Sequence, residues 1–135
     1  MRMIFLNFPV ADIARTRAFF EALGFTNNPA FSDDRCTCMV IEENIICLFQ
    51  ATDRFKEFLA GGTVIADTPR TIELLTALSV DSREVCDTMR ATALANGGKP
   101  WKDAVDYGFM HGTNFLDPDG HVWELSWMDP AQTPH

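Results

Sequence analysis

Met3 to Gly24 reads MIFLNFPVADIARTRAFFEALG, and two periods meet inside it. From Met3 to Val10 the residues alternate, Ile4, Leu6, Phe8 and Val10 on one side and Met3, Phe5, Asn7 and Pro9 on the other, which is the period of a strand. From Asp12 the period lengthens. Ile13, Thr16, Phe20 and Leu23 fall on one helical stripe, Asp12 is placed to accept the free N–H groups of the first turn, and Gly24 supplies the stop. A strand followed directly by an amphipathic helix is the first unit of the fold.

After a loop rich in turn formers (Asn27, Asn28, Pro29, Ser32, Asp33, Asp34), the runs Cys36–Ile41 and Ile45–Gln50 flank Glu42, Glu43 and Asn44, which reads as a hairpin. The first half is thus strand, helix and three further short strands. A short helix capped by Asp53, then Gly61, Gly62 and Pro69, form a connector over about residues 53–70.

From Thr71 the order repeats in TIELLTALSVDSREVCDTMRATALANGG, Thr71 to Gly98. Ile72, Leu74, Thr76, Leu78 and Val80 alternate as a strand, Asp81 and Glu84 form a capping box, and a helix carrying Val85, Met89 and Ala93 ends at Gly97. A loop through Pro100, Trp101 and Lys102 leads to a strand over Phe109–Leu116, a turn at Asp117-Pro118-Asp119-Gly120 and a last strand, Val122–Trp127. The reading is α+β: two tandem βαβββ modules, about 1–52 and 71–128, forming a curved eight-stranded sheet around a cleft within one domain.

The balance of 11 Lys and Arg against 19 Asp and Glu gives a formal net charge of −8, so nucleic acid and anionic membrane surfaces are excluded as partners. Hydrophobic residues at 47% and charged residues at 22% suit a folded core rather than a disordered chain. Apolar runs such as Ile45–Phe49 fall far short of the ~20 residues that span a bilayer, and no cleavable leader is read, so a cytoplasmic location is expected. Cys36, Cys38, Cys47 and Cys86 read as reduced structural thiols, since Cys36-x-Cys38 lacks the spacing of a zinc knuckle.

Two stretches carry a resemblance. Val10-Ala-Asp12 with Phe19-Phe20-x-x-Leu23-Gly24-Phe25, and Asp117-Pro-Asp-Gly120-His-Val-Trp-Glu124-Leu125, resemble the most recognisable segments of the vicinal oxygen chelate superfamily. That group includes glyoxalase I, extradiol dioxygenases, and bleomycin- and fosfomycin-resistance proteins. The resemblance implies a ligand cleft, a homodimer, and, in many members, a divalent metal (Ni, Zn, Mn or Fe) held by one residue from the first and last strand of each module. An enzyme of this type would be a lyase, isomerase or dioxygenase.

Carried over by position, the first-strand ligands fall on Phe5 and Leu75, which cannot bind a metal. The last-strand positions fall on Glu124, four residues after Gly120, and on Cys47, counted from the Glu43-Asn44 turn. Only Glu124 matches, so no cofactor is expected. The leading reading is a protein that binds a small organic molecule in the inter-module cleft without the usual metal. One alternative is a metal enzyme with a rearranged set of Glu124 with His111, Cys47, Glu73 or Asn7; another is metal-free acid–base chemistry by Glu124 and His111.

Alternation with Trp123, Leu125 and Trp127 directs Glu124 and Ser126 into the cleft. With four loop residues at Asp117–Gly120, Thr113 pairs with Glu124 and His111 with Ser126, so the imidazole reaches the same cleft. Phe5, Asn7, Cys47, Phe49, Leu75, Thr113, Ser126 and Trp101 complete the expected lining, with Tyr107 and Phe109 as further aromatic candidates. Cys38 and Cys47 serve there as a nucleophile, a ligand or an apolar wall. His121 in the turn and His135 at the end of the chain read as solvated.

Overall fold

The computed structural model describes residues 1–132; His135 lies outside them. The chain divides into two units, Met1–Ala66 and Asp67 onward. Both repeat the order strand, helix, three strands, and the eight strands expected are present, four in each sheet.

In the first unit β1 (Ile4–Val10) enters α1 (Ile13–Ala22), followed by β2 (Thr26–Asn27), β3 (Cys36–Glu42), β4 (Ile45–Ala51) and α2 (Thr52–Lys56). The sheet order is β1-β4-β3-β2, with β1 parallel to β4 and the rest antiparallel. Asp12 caps α1 by accepting the Arg15 N–H, and Gly24, at φ 97°, turns the chain out of it. Phe8, Phe20 and Phe49 form the centre: the Phe49 ring lies 5.4 Å from Phe8 and 4.5 Å from Phe20, both stacked, and Phe19 meets Phe20 edge-on at 4.9 Å. Burying each such ring contributes about 2–3 kcal/mol. α2 begins at Thr52, so Asp53 sits inside its first turn and is not the cap expected of it.

The second unit contains β5 (Thr76–Ser79), α3 (Arg83–Ala95), β6 (Val105–Asp106), β7 (Met110–Leu116) and β8 (Val122–Met128), in the order β5-β8-β7-β6. The strand expected from Thr71 starts only at Thr76, which pairs with Trp123. Residues before Leu75 would need a partner beyond Val122, where the neighbouring chain is already turning, and Leu74 and Leu75 are 51% and 48% exposed. The helix cap is Ser82, accepting the Val85 N–H, in place of the Asp81 box. Its inner stripe is Cys86 and Ala93, both fully buried, while Val85 is 36% exposed. β6 lies inside the expected loop.

One difference decides where side chains point. The loop between β7 and β8 holds five residues, Asp117 to His121, because Leu116 pairs with Val122. The buried Asp117 carboxylate draws the loop in: it accepts the N–H groups of Asp119 and His121 and the indole N–H of Trp123, each at 3.0 Å. Gly120 completes the turn at φ 86°, where a Cβ would stand 2.9 Å from the Thr68 carbonyl oxygen. His121, 8% exposed, is buried, not solvated. The extra residue shifts the pairing by one and reverses the face of every β7 side chain relative to β8: Asn114, not Thr113, lies opposite Glu124, and His111 lies opposite Trp127.

Asp117→Ala leaves three donors inside the fold without an acceptor. It is expected to lower the unfolding free energy by on the order of 3 kcal/mol, against about 1 kcal/mol for removing the Asp12 cap, both read from urea unfolding. Equal losses would mean that the carboxylate does not organise the loop.

Candidate functional site

Trp123 and Leu125 are each 1% exposed beneath α3, so the alternation of β8 sends Glu124 and Ser126 to the sheet face away from the helix. Beside Glu124 on that face stand Ala77 of β5 and Asn114 of β7; beside Ser126 stand Ser79 and Gly112. Apart from Asn114 these neighbours are small. Glu124 is half-buried, and among the described residues no hydrogen bond or ion pair engages its carboxylate. The Asn114 side chain is already committed to the Lys102 N–H at 2.8 Å.

His111 belongs to the other face. Its Nε2 lies 2.9 Å from an Asp87 carboxylate oxygen on α3, and its Nδ1 lies 3.4 Å from Asp106 on β6. Arg83 pairs with Asp106, donates to the Gly108 carbonyl, and covers the Trp127 ring at 4.8 Å. The hydrogen bond to Asp87 is the chief influence raising the His111 pKa above its usual value, and Asp106 adds to it. His111 thus clasps α3 to the sheet, and the expected acid–base pair with Glu124 is not assembled. Thr113 is on the helix side as well, 3% exposed and donating to the Cys86 carbonyl at 3.2 Å.

The first unit brings Phe5 and Asn7 to the face away from α1, beside Ile46 and Leu48. Gln50 stands on this face, donating to the Asn7 side-chain oxygen at 3.1 Å, and its own amide oxygen is buried without a partner among the described residues. Cys47 and Phe49 do not line this face: both are fully buried on the helix side with Phe8. Burial pushes the Cys47 thiol up to about 12, which leaves it protonated and unreactive. Cys38 is on the outer face but only 4% exposed. Leu75 stands just before β5, and Trp101 is half-buried in the segment leading to β6.

Strand pairing also corrects the expected ligand positions. Asn7 and Ala77 both stand five residues before a helix cap, Asp12 and Ser82, and they pair with Leu48 and Glu124. The first-module counterpart of Glu124 is therefore Leu48 rather than Cys47. Phe5, Leu48, Leu75 and Glu124 offer a single donor side chain, which does not fit a four-ligand divalent site. Of the rearranged set, Cys47 and His111 face the helices, while Asn7 stands on the outer face of the first sheet. Among the described residues no group of three His, Cys, Asp or Glu side chains is placed to hold a metal ion.

Sequence reading missed Asn114, Gln50, Asp87 and Asp106. Gln50, a polar residue closing the apolar run Ile45–Phe49, was the one visible signal.

Residues 2–42 match a family described as bleomycin resistance protein-like, N-terminal. A comparison with curated proteins finds no match in sequence. Solved structures share the fold across nearly the whole chain. A hypothetical protein from S. aureus is 21% identical with a TM-score of 0.78, covering 94% of both chains. A glyoxalase/bleomycin resistance protein/dioxygenase family enzyme from Burkholderia phytofirmans PsJN is 18% identical with a TM-score of 0.73, covering 95% of this chain and 99% of its own. The fosfomycin resistance protein FosX from Mesorhizobium loti is 15% identical with a TM-score of 0.67, covering 96% and 94%. The resemblance to the vicinal oxygen chelate superfamily therefore extends from the two motifs to the fold, a pair of βαβββ modules. No helix among the described residues is long and apolar enough to cross a membrane.

A raised histidine pKa makes stability depend on pH in one direction. The His111 contribution is complete below its unfolded value of about 6.5 and is lost as pH rises through the higher folded value. Urea unfolding of the protein and of His111→Gln between acid and mildly alkaline pH is expected to show a gap that narrows upward; a constant gap would rule out the charged clasp.

Proposed function

We propose that the chain binds a small organic molecule against the Glu124 face of its second sheet, without the four-ligand metal that the resemblance implies for many members of that superfamily. The observation that carries this reading is the Glu124 carboxylate itself. It is half-buried, has no partner among the described residues, and apart from Asn114 its strand neighbours are small. Such a group costs stability where it stands, and a ligand that donates a hydrogen bond offsets that cost. The matching chemistry is an amine, amide or hydroxyl donor on a compact body, with Ser126 as a second contact. The same reading takes the chain to work as a homodimer, with the apolar edge of β1, where Met3, Ile4 and Phe5 are 45%, 50% and 55% exposed, as the surface that a second copy covers.

Glu124→Gln separates stability from binding. The variant is expected to melt no lower than the parent, gaining up to about 1 kcal/mol. It should lose the stabilisation that small amines, amides and diols give the parent in a thermal-shift panel. Shifts that persist in the variant, or a panel with no saturable shift, would overturn the reading. So would one tightly held metal per chain by elemental analysis, if its removal lowers the melting temperature. For the dimer, sedimentation equilibrium at micromolar concentration is expected to give twice the chain mass, and a monomer would refute it.

A further inference from the structure

The second unit also carries a recess of about 580 Å³ lined by Arg90, Pro100, Trp101, Lys102, Asp103 and Val105, a volume suited to a small molecule. One wall is α3, which supplies Arg90, and the other is the segment leading into β6. Both are anchored on Asn114. Its backbone carbonyl accepts the Arg90 Nε–H at 3.0 Å, and its side-chain oxygen accepts the Lys102 N–H at 2.8 Å. Asn114 is 9% exposed, and just upstream Lys99 and Leu116 exchange backbone hydrogen bonds of 2.9 and 2.8 Å. The walls are therefore set by β7 before any ligand arrives.

The recess is lined by two cations, one carboxylate and an indole. Arg90 uses Nε for the Asn114 carbonyl, and its two Nη groups have no hydrogen-bond or ion-pair partner among the described residues. Lys102 Nζ stands 5.7 Å from the centre of the Trp101 ring. Two cations against the single carboxylate of Asp103 make this spot locally positive in a chain whose formal net charge is −8. A guanidinium with its Nη edge free matches a carboxylate, and an indole offers a flat body a stacking surface.

We propose that this recess binds a small aromatic carboxylate, with Arg90 holding the carboxylate, Trp101 stacking on the ring and Lys102 adding charge. Glu124 does not line the recess, so the proposal does not rest on the reading of that carboxylate.

The test is calorimetric titration of the intact chain with benzoate at low ionic strength. Saturable binding of one benzoate per chain is expected, weakening as sodium chloride is added. Arg90→Gln is expected to weaken it at least about tenfold, and Trp101→Ala to weaken it while leaving the charges in place. Benzylamine, the same ring with the opposite charge, is expected not to bind. If Arg90→Gln fails to fold, Trp101→Ala and the contrast of benzoate with benzylamine on the parent chain carry the test. The proposal is overturned by the absence of saturable heat, by equal binding of benzylamine, or by benzoate affinity that survives the substitutions.

Discussion

The Asp117 carboxylate, 2% exposed, is the constraint from which the second unit is built. Burial raises its pKa, while His121 and the indole of Trp123 pull the other way. A carboxylate in that position is tolerable only if donors are brought to it, and the chain does so by folding Asp119, His121 and Trp123 around it. This sets a five-residue loop, which sets the pairing of β7 with β8. That pairing places Asn114 beside Glu124 and leaves His111 to the helix. A local electrostatic requirement in a turn thereby decides which groups share a face more than three residues away.

The two units meet the same frame with different cores. The first fills the space under α1 with stacked phenylalanines. The second sets Trp123, Leu125 and Phe115 beneath a helix whose inner side is cysteine and alanine. Large rings hold a helix at a distance through side-chain area alone, whereas a small inner stripe lets backbone approach backbone. That closeness is seen where the Thr113 hydroxyl reaches the Cys86 carbonyl, and it is also what puts Asp87 within reach of His111.

The element order was legible in the sequence because each element announces itself locally. Alternation marked β1 and β8; Asp12 and Gly24 marked the ends of α1; and the runs on either side of Glu42, Glu43 and Asn44 marked the hairpin of β3 and β4. The chemistry of the faces was less legible. Whether a β7 residue meets Glu124 or Trp123 depends on one loop residue, and nothing in the run Asp117–Gly120 by itself shows that His121 joins the turn. The same one-residue margin separated Cys47 from Leu48 as the counterpart of Glu124, and so a thiol in the core from a leucine on the opposite face. That Glu124 leaves the helix side was legible from its own strand, with buried Trp123 and Leu125 on either side.

The inner stripe of α3 has a consequence for how this sequence can drift. Cys86 and Ala93 have no accessible surface, and the helix surface they occupy has no spare volume, so a bulkier residue at either point must lift the helix off the sheet. Lifting it would part Asp87 from His111 and Arg83 from Asp106 together, since Asp87 and Arg83 sit on one rigid rod. The outward positions of α3 are under no such restriction. Over evolutionary time this helix should therefore change freely on its solvent side while its two smallest inward residues stay small, making side-chain size rather than charge the slowest-changing property of the element.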